Sequence, residues 1–140
     1  TFDTSKGELR LAQVYVDRKY FPDFKKVPEL LSDLVKNVND RIDKVAGDEI
    51  IKLSADIHYN FVNIHPFGDG NGRTSRLLMN YIQRYHGEPL IKIFTEDRAA
   101  YLDALYRQGM GLQKIYFRTV YGITHSKQLC FANLARMSIK

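Results

Sequence analysis

The stretch HPFGDGNGRTSR at residues 65–76 limits how the middle of this chain can fold. Apolar residues recur at helical spacing before it, from about Asp48, and again after it, to about His86. Pro66 disfavours helical geometry at the residue before it, and the three glycines that follow permit a tight turn. The sequence therefore predicts two helices joined by the loop Phe67–Gly72.

The other segments predict a mainly helical domain with one small β-hairpin. The β-prone run LAQVYV, a turn at Asp17–Lys19 and Tyr20–Phe21 are typical of a hairpin. Pro28 suits the first turn of a helix that ends near Gly47. A fourth helix is expected, capped by Thr95 and ended by Gly109. We expect one domain over residues 1–140, with its core in about 7–110 and a helical extension over about 111–140 that includes Cys130.

Apolar spacing also predicts which side chains form the core. The helix before the loop carries two apolar stripes, so we expect other elements to pack around it. Its first stripe is Ile50, Leu53, Ile57, Phe61 and Ile64, and its second is Ile51, Ala55, His58 and Val62. The helix after the loop is expected to bury Leu77, Leu78, Tyr81, Ile82 and Tyr85, and the fourth helix to bury Tyr101, Leu102 and Leu105.

Composition narrows the function classes. A hydrophobic content of 44% is enough for a core, so wholesale disorder is not expected. The net charge of +5 suits an anionic ligand, but no helix-turn-helix or aromatic–basic pattern favours nucleic acid. The single cysteine can form no internal disulfide, which favours a cytoplasmic location. No membrane span or signal peptide is expected. The chain begins with Thr1 rather than Met, so we expect a trimmed form or a piece of a longer protein.

The loop has the residue types of a polyphosphate site. Gly68, Gly70 and Gly72 precede a helix, where free backbone N–H groups and the helix dipole favour an anion. Arg73 and Arg76 lie three residues apart, so they share a face of that helix and offer bidentate bonds to phosphate. The loop lacks the GxxxxGK(S/T) pattern of the common nucleoside triphosphatases.

Two further side chains suggest chemistry at this loop. Asp69 would repel phosphate unless a cation lay between them, and Mg²⁺ takes both carboxylate and phosphate oxygens. His65 titrates near neutral pH and can accept a proton from a hydroxyl. Phe67 is expected to pack inward and so direct His65 outward. Each residue alone has an ordinary structural interpretation, and the hypothesis of a site depends on their occurring together in twelve residues.

HPFGDGNGRTSR matches the Fic signature HPFx(D/E)GNGRxxR at every fixed position, and the chain resembles the Fic/Doc superfamily over about residues 7–110. Gly7, Arg10 and Val14 are similar to the segment that leads into Fic domains. YFPDFKKVPELLSDL is similar to the stretch that joins their flap to the first helix, and RAAYLDAL to the helix after the motif. The resemblance implies a Fic fold, which is a helical bundle with a β-hairpin flap.

The resemblance also implies transfer of AMP from ATP to a Ser, Thr or Tyr hydroxyl of a target protein. In that reaction His65 would be the general base, and Asp69 would hold Mg²⁺ (or Mn²⁺). The anion hole would be formed by Gly70, Asn71 and Gly72. Arg73 would contact the phosphates and Arg76 the γ-phosphate. Phe67 and Tyr101 would complete the nucleotide-binding set, with Tyr101 at the adenine, and a flap over about Val14–Phe24 would hold the target by strand addition.

Many Fic proteins are inhibited by a helix with the pattern (S/T)xxxE(G/N). The nearest match here is Thr4–Glu8, but Leu9 follows where Gly or Asn is required. Three alternatives therefore remain for an inhibitory helix. It is upstream of Thr1, it is on a separate antitoxin-like protein, or it is absent.

Other functions remain open at this point. Fic relatives can transfer UMP, phosphocholine or phosphate, and the same site can remove AMP from a modified target. A non-catalytic nucleotide-binding or interaction module is a second alternative. His58 and His65 could share a helix face, but the sequence offers no third zinc ligand at suitable spacing, so we expect His58 to be packed or solvent-exposed.

Overall fold

The computed structural model describes residues 7–16, 19–99, 114–119 and 127–130. The helices in this part are α1 (Val27–Ile42), α2 (Asp48–Ile64) and α3 (Asn71–Tyr85). The strands are β1 (Tyr15–Val16), β2 (Lys19–Tyr20), β3 (Ile91–Lys92), β4 (Lys114–Thr119) and β5 (Lys127–Cys130). Short 3-10 turns lie at Phe24–Lys26 and Thr95–Asp97. The mainly helical class expected from the sequence is confirmed.

Helix α2 is the centre of the core, because it contacts both α1 and α3. All five residues of its first predicted stripe are buried. They pack against α1, which contributes Val27, Leu34, Val38 and Ile42, and against Ile82 of α3. On the second stripe, Ala55 and His58 are also buried. The prediction that other elements surround this helix is confirmed.

The predicted core face of α3 is wrong in three of its five positions. Leu78 is partly buried and Ile82 fully buried, but Leu77, Tyr81 and Tyr85 are 71%, 56% and 50% exposed. The face that packs inward carries Asn71, Ser75, Met79, Ile82 and Gln83.

Polar residues on this inward face are buried together with hydrogen-bond partners, which come from α2 for Gln83 and from the same helix for Ser75. The Gln83 amide donates to Ser54 Oγ at 2.7 Å, and that hydroxyl donates to the Ile50 carbonyl at 2.8 Å. Ser75 Oγ donates to the Gly72 carbonyl at 2.9 Å. With these bonds formed, the cost of burying the polar groups is largely offset.

The predicted hairpin is confirmed, although its first strand is shorter than expected and its second strand begins one residue earlier. Strands β1 and β2 pair antiparallel, with Tyr15 opposite Tyr20. Phe21 follows β2 instead of belonging to it, and its ring is buried. Two side-chain bonds hold this segment in place: Lys19 Nζ donates to Asn63 Oδ1 at 2.5 Å, and Gln13 Nε2 donates to the Phe21 carbonyl at 2.8 Å.

The expectation of helix after residue 111 is wrong where the structure describes the chain. Strand β4 pairs antiparallel with β3 and with β5, so Ile91 lies opposite Thr119 and Lys114 opposite Cys130. The partners of β3 lie more than twenty residues away along the chain, and local periodicity does not reveal such pairing. Thr95 begins a 3-10 turn instead of capping a helix. Arg98 and Ala99, which follow this turn, are helical as predicted. The positions of the predicted fourth helix from residue 100 on, including Tyr101, lie outside the described residues.

In the part of the chain that the structure describes, no helix is long and apolar enough to cross a membrane.

Met79 and Leu77 lie on opposite faces of α3 and provide a test of the corrected packing. Met79→Ala should lower the free energy of unfolding by about 2–5 kcal/mol, because it leaves a cavity at a fully buried site. Leu77→Ala should change it by about 0.5 kcal/mol or less, since that side chain is largely exposed. Urea denaturation measures both, and equal losses in the two variants would contradict the assigned face.

Candidate active site

The chain leaves α2 through a left-handed turn at His65. This residue has φ 52° and ψ 59°, and it is the one non-glycine residue with positive φ in the described ranges. Its N–H still donates to the Phe61 carbonyl at 3.0 Å, which completes the helix. Pro66 accounts for the break, because a following proline disfavours right-handed helical geometry. The turn sends the backbone into the loop and leaves the imidazole half-buried at its edge.

The His65 imidazole lies against Phe21, which follows the hairpin. The two ring centroids are 4.2 Å apart and the planes meet at 33°. Nδ1 is 3.4 Å from the Val62 carbonyl. A carbonyl can only accept a hydrogen bond, so this contact favours the tautomer with its proton on Nδ1. Nε2 then carries the lone pair.

The surroundings of His65 keep its ring neutral. Burial lowers the pKa of His65 below its ordinary value, and the contact with the Val62 carbonyl opposes that shift. The positive charges of Arg10 and Lys19 lower the pKa further. An imidazole that is neutral at neutral pH is in the form that a general base requires.

The loop after His65 is closed by a pair of hydrogen bonds between Asn71 and Phe67. The Phe67 N–H donates to Asn71 Oδ1 at 2.9 Å, and Asn71 Nδ2 donates to the Phe67 carbonyl at 2.8 Å. The Phe67 ring packs against the core, with its centroid 6.0 Å from that of Phe61. The prediction that Phe67 packs inward is confirmed. The Asn71 side chain faces the loop backbone, so it positions the loop, and its backbone N–H is the group at the helix start.

Helix α3 begins with glycines and arginines close together. Gly70 has φ 81°, a conformation that favours glycine, and its carbonyl accepts the first intrahelical bond from the Thr74 N–H at 2.9 Å. A Cβ at Gly70 would lie 3.5 Å from an Arg73 guanidinium nitrogen, and one at Gly72 would lie 3.4 Å from an Arg76 nitrogen. Both arginines therefore lie beside the glycines at the positive end of the helix, where an anion would be held.

Asp69 and Arg73 pair with each other across the start of α3. Asp69 Oδ2 lies 3.0 Å from an Arg73 guanidinium nitrogen, and both side chains are largely exposed. An exposed pair of this kind is weak, so a ligand can replace it at little cost. The described residues contain no group of three or more metal-ligating side chains. A single exposed carboxylate fits Mg²⁺ that takes its other ligands from phosphate and water.

The structure thus places five of the predicted site residues, His65, Asp69, Asn71, Arg73 and Arg76, on one loop and the first turns of one helix. Phe67, Gly70 and Gly72 lie among them, and Tyr101 lies outside the described residues. Reasoning from residue chemistry did not assign a role to Arg10, Phe21 or Lys19, all of which lie near the imidazole. The family resemblance included Arg10 but assigned it no role.

His58 is a buried core residue, so the first of the two expectations for it, a packed histidine, is confirmed. Burial lowers its pKa to about 4, while a hydrogen bond with the Ser75 backbone raises the pKa and nearby Arg76 lowers it. The imidazole is therefore neutral at physiological pH and belongs to the packing between α2 and α3.

Comparisons with known proteins identify a family for this chain. A family model described as Fic/DOC family matches residues 1–83. The chain is 38% identical over 116 residues to Protein adenylyltransferase fic-1 of Caenorhabditis elegans, covering 81% of this chain and 22% of that protein. It is 40% identical over 101 residues to Protein adenylyltransferase Fic of Aedes aegypti, covering 71% and 19%.

A solved structure of a Fic domain containing signaling protein from Bacteroides thetaiotaomicron superposes with a TM-score of 0.67 at 31% identity. The match covers 76% of this chain and 41% of that one. The chain spans about a fifth of the length of the adenylyltransferases from Caenorhabditis elegans and Aedes aegypti.

Asn71→Ala should destabilise the loop, because it leaves the Phe67 N–H and carbonyl without their partner. The expected loss is about 1–3 kcal/mol of unfolding free energy. Asn39→Ala, on the exposed face of α1, is the matched control and should stay near wild type. Chemical denaturation compares the two, and an Asn71→Ala variant as stable as its control would show that the loop does not depend on this pair.

Proposed function

Because the chain belongs to the Fic/DOC family, we propose that it is a protein adenylyltransferase, which transfers AMP from ATP to a Ser, Thr or Tyr hydroxyl of a target protein. The observation that carries this proposal is the half-buried imidazole of His65, which one short loop separates from a helix start with two arginines. A base and an anion site joined by one short loop suit attack of an alcohol on phosphorus. The relatives named protein adenylyltransferase support the choice of AMP as the transferred group.

The triphosphate of ATP would lie at the N-terminus of α3. Backbone N–H groups of Gly70, Asn71 and Gly72 would point at it, since the first N–H groups of a helix have no intrahelical partner. Arg73 and Arg76 would bind phosphate oxygens through their guanidinium groups. Two cations in a first helical turn oppose the helix dipole, and a bound polyphosphate would remove that conflict.

Asp69 would hold a magnesium ion (or Mn²⁺) together with phosphate oxygens. Bound there, the ion would neutralise charge on the phosphates. Its arrival would free Arg73 from the pair with Asp69, so that the arginine could turn to the phosphates. Phosphate and metal binding are therefore expected to support each other.

His65 would accept the proton of the target hydroxyl at Nε2. The hydroxyl oxygen then forms a bond to the α-phosphorus, and the bond from that phosphorus to the oxygen bridging to the β-phosphate breaks. Pyrophosphate leaves, and the target carries AMP. The tautomer favoured by the Val62 contact and the lowered pKa of His65 both keep Nε2 ready for this proton.

The target would be held by the hairpin, within the segment Val14–Phe24. Strand addition to β1 or β2 needs only backbone groups, so it tolerates many target sequences. Phe21 joins this segment directly to the His65 ring, which brings an added strand close to the base.

Regulation and location are part of the same proposal. Thr4–Glu8, the nearest match to the inhibitory pattern, lies largely outside the described residues. If no inhibitory helix acts on the chain, it should modify itself when given Mg·ATP. A cytoplasmic location stays a prediction that rests on the single cysteine.

His65→Ala should lower the rate of AMP transfer by roughly 10²–10⁴-fold, the usual contribution of a general base. ATP binding should persist, because the start of α3 is unchanged. Intact-mass spectrometry after incubation with Mg·ATP measures the transfer, and isothermal calorimetry measures the binding. His86→Ala, at the far end of α3, is the matched control.

Labelled ATP shows which group is transferred, and the His65→Ala variant shows whether the base takes part. Transfer of label from α-labelled ATP but not from γ-labelled ATP is the expected result. Label arriving only from the γ position would mean phosphorylation, and wild-type transfer by the His65→Ala variant would remove the base from the mechanism.

A further inference from the structure

Arg10 is a buried cation whose guanidinium is bonded to four backbone carbonyls. It is only 6% exposed. Nε donates to the His65 carbonyl at 2.7 Å, one terminal nitrogen donates to Ala12 at 2.9 Å, and the other donates to Pro22 at 2.5 Å and to Ile64 at 3.4 Å. A buried charge is tolerated when it is bonded in this way.

The four carbonyls belong to two separate parts of the fold. Ala12 and Pro22 flank the hairpin on either side, whereas Ile64 and His65 form the end of α2. The backbone N–H of Arg10 adds a further link, since it donates to the Pro66 carbonyl at 2.9 Å. The cation also suits the negative end of the α2 dipole. Arg10 therefore joins the base of the hairpin to the turn that carries the histidine.

We propose that Arg10 is a positioning residue, which fixes the hairpin relative to His65 so that a hydroxyl held by the hairpin meets the imidazole. The proposal rests on the proposed adenylyltransferase function. It assigns Arg10 no contact with ATP or with the reacting atoms.

Two observations connect Arg10 to the imidazole itself. The His65 carbonyl that it holds belongs to the residue in left-handed geometry, a conformation that persists only when neighbouring contacts enforce it. Pro22, another of its acceptors, directly follows Phe21, whose ring is stacked on the imidazole. One guanidinium thus holds the backbone on both sides of the stack.

Lysine cannot form the same set of hydrogen bonds at this position. Its charge is equal, but its donors leave from a single nitrogen, whereas arginine spreads donors over a planar fork. Arg10→Lys therefore keeps the charge near His65 and removes the simultaneous bonds to the hairpin and to α2. Arg84→Lys, at an exposed position of α3 outside the site, is the matched control.

The first measurement is the rate of self-modification of the chain as a function of Mg·ATP concentration. For Arg10→Lys, the maximal rate should fall by roughly 10²-fold, the effect of a small misplacement of reacting groups. The half-saturating ATP concentration should not change, because Arg10 does not contact the start of α3. Arg84→Lys should match wild type in both. An unchanged maximal rate, or an equal loss of ATP affinity, would overturn the proposal.

The second measurement is the NMR resonance of the His65 ring proton between the two nitrogens. In the wild type the ring current of Phe21 shifts this resonance, and in Arg10→Lys it should move towards its value in an unstructured peptide. A rate loss without this movement would overturn the proposal, since the histidine would not have been displaced. If the wild-type chain transfers no AMP at all, the proposed function fails, and the resonance still decides whether Arg10 positions His65.

Circular dichroism shows whether Arg10→Lys folds. If it does not fold, the Asn63→Ala variant tests the coupling of the hairpin to α2 instead. Asn63 is half-buried and accepts the bond from Lys19, which also links the hairpin to α2. The expected result is a smaller fall in maximal rate, with ATP half-saturation unchanged and a shifted His65 resonance. No change in rate and resonance would overturn the coupling of the hairpin to the histidine.

Discussion

The left-handed turn at His65 is the constraint on which the rest of the site depends. It ends α2, points the chain into the loop, and leaves the imidazole against Phe21, which follows the hairpin. The turn is costly for a residue with a side chain, and contacts on both sides maintain it. Arg10 holds its carbonyl from the hairpin side, and Asn71 closes the loop from the α3 side. The loop is therefore held by hydrogen bonds between side chains and backbone groups.

The charges at the start of α3 are balanced within the loop itself. Arg73 and Arg76 lie at a helix end that disfavours cations, and Asp69 partly compensates by pairing with Arg73. This balance is weak because the pair is exposed. In the proposed complex, a polyphosphate would face the arginines and the helix end, and a divalent cation would face the carboxylate. Such a ligand would relieve the unfavourable electrostatic arrangement at the start of α3.

Much of the fold and most residues of the candidate site could be predicted from the sequence, because both depend on residues that lie close together along the chain. Helix spacing, Pro66 and the glycines fixed the junction of α2 and α3, and the residues of the loop are neighbours in sequence. The buried face of α3 could not be predicted from hydrophobicity, because it carries the polar residues Asn71, Ser75 and Gln83. Asn71 and Ser75 bond to backbone groups three or four residues before them, and Gln83 bonds to Ser54 of α2. Strand β4 was missed because its pairing with β3 joins segments more than twenty residues apart along the chain. The contacts of Arg10 were missed for the same reason, since its acceptors lie up to 55 residues away.

A crystal structure of the chain with Mg²⁺ and α,β-methylene-ATP, in which the bond to be broken is replaced, tests the central claim most directly. The phosphates should lie at the N-terminus of α3, the metal on Asp69, and the Arg73 side chain should turn from Asp69 to the nucleotide. The His65 ring should stay against Phe21, with Nε2 facing the side from which a hydroxyl reaches the α-phosphorus. A nucleotide bound elsewhere, with Asp69 and Arg73 still paired, would contradict the account.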